Sequence, residues 1–333
     1  MRIISGKNRG RKLSAPILSE DIKPTTDRAK EAIFNMLFEK VKDCVFIDMF
    51  AGSGQMGIEA MSRGAKKVIF IDNNPQSISC IKENVKGING DFEIMNMNFD
   101  KALKTMNKHG KKADIAYCDP PYDLKMADKI LNSLHQNSIM NFGGIVLIEG
   151  EKTYPITLSK VFYHYEARSY AKSRIDFYKR EKRVAITGTF DPFTNGHMDL
   201  VMKAKETFDR IYIVILINEN KEIRYPLDKR KRIIETAIGD DKEKVVIDSY
   251  DGLAIDYCRE NDIQYILRGV RNKKDFDYEK QMADYNYQNG GVTTILMPAK
   301  SSNISSTKVR KDIDQDKDIS YMVNHNVIEI LKE

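Results

Sequence analysis

Short apolar runs of strand length recur along this chain with helix-length spacers between them, and halfway along the series starts over. They occupy residues 45–48, 68–72, 92–95, 115–119 and 145–149, then 184–187, 211–217, 245–248, 265–267 and 294–297. Strand–helix alternation of this kind marks a parallel, doubly wound sheet buried on both faces. Between the two series, residues 161–165 and 174–179 read as strands with no helix between them, which predicts an antiparallel hairpin ending the first sheet. The expected fold class is α/β, with two tandem doubly wound parallel-sheet domains over 1–181 and 182–333 and no Gly/Ser/Pro-rich linker at the join. A length of 333 residues suits two domains at roughly 150 residues each. Thr25-Thr26-Asp27 precedes a periodic stretch opening at Arg28, so a helix is expected there with Asp27 as its cap.

The longest apolar run, 211–217, is far shorter than the roughly 18 residues of a membrane span, and no signal-peptide core follows Met1. A soluble, cytoplasmic protein with no membrane partner is expected. Cys44, Cys80, Cys118 and Cys258 show no C-x-x-C spacing, so reduced buried thiols are expected, with no disulfide framework and no metal ligands. The net charge of +6 is unevenly spread. Residues 1–181 carry 29 Lys/Arg against 22 Asp/Glu, while the remainder carries 25 against 26. The first 30 residues hold eight basic and three acidic side chains, a pattern suited to a phosphate backbone, with a solvated tail as the alternative.

In the first half, Asp48-Met49-Phe50-Ala51-Gly52-Ser53-Gly54 follows the first strand, and its glycines let the backbone turn sharply and approach a ligand. Neither G-x-G-x-x-G nor G-x-x-x-x-G-K-[ST] is present, so a pyrophosphate cradle is not indicated. Asp72 ends the second strand, where a carboxylate can accept ribose hydroxyls, and Asn98 after the third could hold an adenine edge. Asp119-Pro120-Pro121-Tyr122 ends the fourth. An exocyclic base amine is a weak nucleophile, because its lone pair is delocalised into the ring. Asp119 and the Pro120 carbonyl can accept its hydrogens, the prolines stiffen the loop, and Tyr122 can stack on an extruded base.

Over essentially all of residues 1–181 the chain resembles the RsmD-type bacterial 16S rRNA (guanine-N2)-methyltransferases. The likeness rests on Arg2-Ile3-Ile4, Arg9-Gly10-Arg11-Lys12-Leu13, Pro24-Thr25-Thr26-Asp27-Arg28, the loop from Phe50 to Gly54 with Glu59-Ala60, and Asp119 to Tyr122. The resemblance implies S-adenosylmethionine as donor, with Asp48, Phe50, Gly52, Gly54, Asp72 and Asn98 around it. It also implies 16S rRNA or a small-subunit particle as partner, held through Arg9, Arg11, Lys12 and Arg28.

In the second half, Gly188-Thr189-Phe190-Asp191-Pro192-Phe193-Thr194-Asn195-Gly196-His197 joins the first strand to a helix expected near His197, and helix N-termini favour anions. Lys221 follows the second strand, Arg268-Gly269-Val270-Arg271 the fourth, and Ile304-Ser305-Ser306-Thr307 offers hydroxyls at a helix start. In a parallel sheet those strand ends face one crevice. From about Arg183 onward the chain resembles the CoaD-type phosphopantetheine adenylyltransferases of the T/HxGH nucleotidyltransferases, a second Rossmann-like fold. The likeness includes Asn218, Asp275-Phe276-Asp277-Tyr278-Glu279 and Leu296-Met297-Pro298.

That resemblance implies ATP with Mg²⁺ and 4′-phosphopantetheine, giving dephospho-coenzyme A and pyrophosphate, and a homo-oligomer formed through this half. Thr189 and Lys221 would hold the attacking phosphate, and His197 and Arg271 the charge developing at the α-phosphate. Arg268, Leu253 and Ala254 would face the pantetheine arm. Gly188, Phe190, Glu279, Ser305, Ser306 and Thr307 would line the ATP side. The expectation is therefore a bifunctional enzyme. The alternatives are that one half is a non-catalytic RNA-binding or oligomerisation module, or that the first half methylates DNA or protein.

Overall fold

The computed structural model describes the chain apart from residues 17–25, 122, 124, 171–172, 218–221, 241 and 301–302. It divides into two compact units, Met1–Glu181 and Lys182–Glu333. The strands of the first are β1 (Val45–Met49), β2 (Lys67–Asp72), β3 (Asp91–Asn96), β4 (Ala113–Cys118), β5 (Met140–Glu151), β6 (Phe162–Tyr170) and β7 (Ser173–Arg180). Its helices are α1 (Asp27–Leu37), α2 (Gln55–Ser62), α3 (Pro75–Asn84), α4 (Phe99–Lys108) and α5 (Met126–Gln136). The sheet order is β3-β2-β1-β4-β5-β7-β6. β1 to β5 run parallel, and the expected hairpin is present with β7, not β6, paired antiparallel to β5.

The uninterrupted apolar runs follow from burial on both faces. Phe46, Val68, Phe70, Ile115 and Tyr117 feed one core cluster. Their strand neighbours Ile47, Ile69, Ile71, Ala116 and Cys118 feed the other. Truncating a fully buried ring such as Phe70 to Ala would cost about 3–5 kcal/mol.

The second unit contains β8 (Arg183–Gly188), β9 (Arg210–Ile217), β10 (Val245–Asp251), β11 (Tyr265–Val270) and β12 (Thr293–Pro298), all parallel, in the order β10-β9-β8-β11-β12. Its helices are α6 (Asn195–Thr207), α7 (Leu227–Ile238), α8 (Ala254–Glu260), α9 (Lys273–Gly290), α10 (Ser306–Asp314) and α11 (Ile328–Lys332). The same alternation sorts Ile213 and Ile215 from Val214 into separate cores.

Each sheet reverses its winding once, between β1 and β4 in the first unit and between β8 and β11 in the second. At such a switch point the loops leaving neighbouring strands turn to opposite faces, which opens a crevice at the carboxyl ends.

The α1 cap is one residue earlier than expected. Thr26 is extended (φ −66°, ψ 153°) and its hydroxyl accepts from Ala29 N at 3.2 Å. Asp27 is already helical and instead pairs with Arg2 at 3.0 Å.

Over residues 1–16 the basic N-terminal segment is not a solvated tail. It folds back through an Arg2–Lys12 bridge, and its Ile3 and Leu13 are buried. The buried Glu59 carboxylate on α2 accepts from Ile4 N at 2.8 Å and Ser5 N at 3.0 Å, while Arg63 closes on it at 2.8 Å. The fully buried Lys30 ammonium donates to Arg2 O at 2.7 Å and lies 4.0 Å from Glu59. Burial holds the Lys30 pKa below the usual lysine range, with Glu59 opposing the shift. Anchored in this way, the turn presents Arg9 and Lys12 to solvent.

Candidate active sites at the two switch points

The loop after β1 uses left-handed backbone at Phe50 (φ 60°), Gly52 (φ 54°) and Gly54 (φ 74°), which explains the glycines at the latter two positions. A Cβ on Gly54 would also meet Ile81 and Phe70 at 3.2 Å. Asp72 at the end of β2 braces this loop, since its carboxylate accepts from Gly52 N and from Asn74 N, both at 2.8 Å. The Phe50 ring packs on Phe99 at 5.3 Å.

Asn98, expected on an adenine edge, caps α4 by accepting from Asp100 N at 2.9 Å. Its amide oxygen is thereby committed to the helix end. Asp48, expected among the cofactor ligands, is only 2% exposed and accepts from Gly57 N in α2 at 2.8 Å. Burial raises its pKa to about 8, opposed by the Gly57 amide and reinforced by Asp119 and Asp72. It thereby anchors the helix behind the loop.

Asp119 leaves β4 directly across the switch point from this loop, and its amide reaches Met49 O at 3.4 Å. Desolvation, then the neighbouring Glu149 at the end of β5, push its carboxyl up to about 7. Such a carboxylate is a far better proton acceptor at neutral pH than an ordinary aspartate. Pro120 is buried beside it, whereas Tyr122 lies outside the described residues. Of the expected RNA contacts, Arg9, Lys12 and Arg28 are exposed, while Arg11 is half-buried and donates to Lys86 O.

In the second unit the switch point holds a cavity of about 750 Å³. The loop after β8, the end of β11, and the starts of α6, α9 and α10 line it. Gly188, Thr189, Phe190, His197, Arg268, Arg271, Glu279, Ser305, Ser306 and Thr307 all contribute to its wall. Leu253 and Ala254 do not line it, and Leu253 is 52% exposed at the start of α8. Lys221 lies outside the described residues.

His197 is held by the helix it helps to cap. Its Nδ1 accepts from Thr194 N at 3.0 Å in a reciprocal box at the start of α6, which leaves the ring proton on Nε2. The imidazole packs against Phe190 and Phe193 at 5.0 and 5.3 Å between ring centres. This desolvation, reinforced by Arg268 and Arg271, lowers its pKa to about 4. At neutral pH the ring is an uncharged, oriented hydrogen-bond donor.

From sequence, Arg268 and Glu279 are expected on different ligands. The structure joins them fork to fork, at 2.9 Å (Nε to Oε2) and 2.6 Å (NH2 to Oε1), with a further Arg268 bond to Thr187 O. A bidentate pair of this kind fixes both side chains in the wall. Arg271 pairs with Asp275 at 2.8 Å. The Ser305 hydroxyl caps α10 by accepting from Lys308 N at 3.1 Å, and Ser306 donates to Pro192 O at 2.8 Å.

The wall residues Arg310 and Asp191 were given no role from sequence. Arg310 lies one helical turn after Ser306, a spacing that puts both on one face of α10. It donates to Asp191 O and lies 3.2 Å from the Asp191 carboxylate. That carboxylate in turn accepts from Arg224 N at 3.0 Å and Tyr225 N at 2.9 Å.

Comparison with known proteins matches residues 1–179 to the family described as Conserved hypothetical protein 95, and residues 185–312 to the Cytidylyltransferase-like family. A phosphopantetheine adenylyltransferase of Phocaeicola vulgatus is 42% identical over 141 residues, covering 42% of this chain and 93% of that protein. One from Frankia alni is 36% identical over 157 residues, covering 46% of this chain and 97% of that protein. Among solved structures, a putative methyltransferase of Escherichia coli, yhhF, is 28% identical with a TM-score of 0.48, covering 54% of this chain and 97% of its own. The chain thus belongs to two enzyme families at once, the Conserved hypothetical protein 95 family of RsmD-type methyltransferases through its first unit and the phosphopantetheine adenylyltransferases through its second.

Proposed function

We propose that the chain is a bifunctional enzyme, with residues 1–181 methylating N2 of a guanine in 16S rRNA and residues 182–333 converting ATP and 4′-phosphopantetheine to dephospho-coenzyme A and pyrophosphate. The observation that carries the first activity is the partly buried, basic Asp119 carboxylate across the switch point from the glycine loop. S-adenosylmethionine supplies a methyl group made electrophilic by its sulfonium. Phe50, Gly52 and Gly54 with Asp72 fit an adenosine-bearing donor, because the loop offers backbone and aromatic surface and no cationic cradle. Asp119 and the Pro120 carbonyl accept the N–H bonds of the target amine, which sharpens its lone pair. The amine nitrogen would bond to the methyl carbon as the sulfur–methyl bond breaks and S-adenosylhomocysteine leaves, and Asp119 would take the proton released. Arg9, Lys12 and Arg28 would hold the rRNA backbone, with Arg11 fixing the turn and Tyr122 stacking on the target base.

In the second unit no protein nucleophile is required. The phosphate of 4′-phosphopantetheine attacks the α-phosphorus, the bond to the β-phosphate bridge breaks, and pyrophosphate leaves. Nε2–H of the neutral His197 and the Arg271 guanidinium would stabilise the developing charge, with Thr189 and Lys221 on the attacking phosphate. Among the described residues no group of three or more His, Cys, Asp or Glu could hold a metal. Mg²⁺ would enter with the ATP substrate. Phe276, Tyr278, Met282, Tyr285 and Tyr287 leave α9 with an exposed apolar surface, which supports self-association through this unit. No helix among the described residues is long and apolar enough to cross a membrane, in keeping with a cytoplasmic site of action.

The test uses the full chain in two assays on one preparation. Methyl incorporation into small-subunit particles and pyrophosphate release with 4′-phosphopantetheine should both be observed. Incorporation into DNA or protein but not rRNA would replace the first assignment, and absence of pyrophosphate release would remove the second.

A further inference from the structure

The methyl acceptor site contains a second carboxylate that the proton-transfer step does not use. Strands β4 and β5 are in register at Cys118 and Ile148, so Asp119, the first residue past β4, lies beside Glu149, which is still in β5 and paired with Ile175 of β7. Glu149 shares a surface depression with Pro120 and Pro121 of the acceptor turn. Its Oε2 accepts from the Tyr117 hydroxyl at 2.6 Å, whereas no hydrogen bond to Oε1 is made among the described residues. Arg174, the cation on the rim of this depression, is held in a fork by Asp176 at 2.8–3.1 Å. Neither Asp119 nor Glu149 has an ion-pair partner among the described residues.

Two adjacent, partly desolvated carboxylates without a cation repel each other, which raises the proton affinity of Asp119 and favours a ligand that brings several N–H donors together. Among the four RNA bases, guanine alone places a second donor, N1–H, beside its exocyclic amine. Adenine and cytosine place a ring-nitrogen lone pair there, which a carboxylate would repel.

We infer that Glu149 is the residue that selects guanine, accepting N1–H through its carboxylate while Asp119 and the Pro120 carbonyl accept from the N2 amine. This rests on the methyltransferase reading above. Tyr117 is a positioning residue that holds the Glu149 carboxylate by its second oxygen. The selection is by chemistry as well as shape. A site built to pair with a donor rejects an analogue that presents an acceptor instead, because its own acceptor is then buried unpaired.

The test uses the full chain and small-subunit particles reassembled around ligated 16S rRNA. At the guanine methylated by the wild type, the ligated RNA carries either guanine or 2-aminopurine. The analogue keeps the amine but has a lone pair at N1. The wild type should favour guanine in kcat/KM by about tenfold to hundredfold, as expected for one charged hydrogen bond. Glu149→Gln, whose amide can donate, should lose guanine activity and gain 2-aminopurine activity, collapsing that ratio. Glu149→Asp should lower guanine activity without raising activity on the analogue. Tyr117→Phe, which keeps the charge, should leave the ratio on the side of guanine. Calorimetric binding of S-adenosylmethionine verifies that each variant is folded. Equal wild-type activity on both RNAs would overturn the inference, as would an unchanged ratio in Glu149→Gln. A wild type that methylates neither RNA would remove the methyltransferase reading itself, and the inference with it.

Discussion

The two units place their sites at the same topological position and fill them with opposite charge. Around the β1/β4 switch point lie Asp72 and Asp119, with Asp48 buried behind the loop and Glu149 on the adjoining β5, and the Asp119 and Asp48 carboxyls are pushed up to about 7 and 8. At the β8/β11 switch point the wall carries the cations Arg268, Arg271, Lys274 and Arg310 and the neutral His197, with Asp191, Asp275 and Glu279 paired to the arginines. One sheet architecture therefore supplies a crevice, and the residues at the strand ends decide whether it takes an N–H donor or a phosphate. Desolvation acts on both in the same direction, towards the uncharged form, with opposite chemical results. It makes Asp119 a stronger proton acceptor and keeps His197 an uncharged donor.

The largest expected effect follows from removing the acceptor. Asp119→Ala should cut methyl transfer by about 10²–10⁴, while calorimetric binding of S-adenosylmethionine and pyrophosphate release stay near wild type. Methyl transfer within a fewfold of normal would sever Asp119 from the chemistry and erase the contrast between the sites.

His197→Ala should slow pyrophosphate release by about 10²–10³, the usual cost of losing one preorganised donor to developing charge. ATP binding, read separately, should change much less. Because His197 also caps α6, a His197→Asn variant, able to accept from the Thr194 amide, should restore helix stability without restoring the rate.

The pH profiles sharpen the comparison. Burial and the neighbouring Glu149 push the Asp119 carboxyl up to about 7, so methyl transfer should fall about tenfold per unit as pH drops below 7 and level off above it. Since the His197 pKa is lowered to about 4, it stays neutral throughout, and its protonation should leave no inflection in adenylyl transfer between pH 6 and 8. An inflection near 6.5 in adenylyl transfer that disappears in His197→Ala would show that the imidazole is not desolvated.

The smallest effect concerns the N-terminal turn. Replacing Arg9, Arg11 and Lys12 with Ala should make the salt dependence of rRNA binding shallower, by about 2 in the log–log slope and somewhat more if Arg11 also contacts phosphate. Filter binding at several salt concentrations measures it. An unaltered slope would place the RNA contacts elsewhere on the first unit.

How much of this was legible in the chain follows from the range of the interactions. The strand series, the glycine loop and the Asp-Pro-Pro turn are local signals, and each falls at the expected strand end. The shift of the α1 cap from Asp27 to Thr26 is a local competition, decided when Arg2 pairs with Asp27. The hydrogen bonds of Asn98 and Asp48 were less visible, because a polar residue in or just after a strand can face a ligand or a helix end, and only the structure shows that they accept from Asp100 N and Gly57 N.

What the sequence by itself determined is the architecture, since hydrophobic period and turn residues are properties of neighbouring positions, and, through its resemblance to two families, the identity of the two chemistries. Tertiary structure alone decided the electrostatics of each site. Glu149 reaches Asp119 through strand register across 30 residues, and Glu279 reaches Arg268 from the helix after β11. Glu59 gathers the N-terminal turn from more than 50 residues away. Desolvation and charge pairing depend on distance in space, so the proton affinities that separate a methyl-acceptor site from a phosphate site exist only once the two sheets have formed.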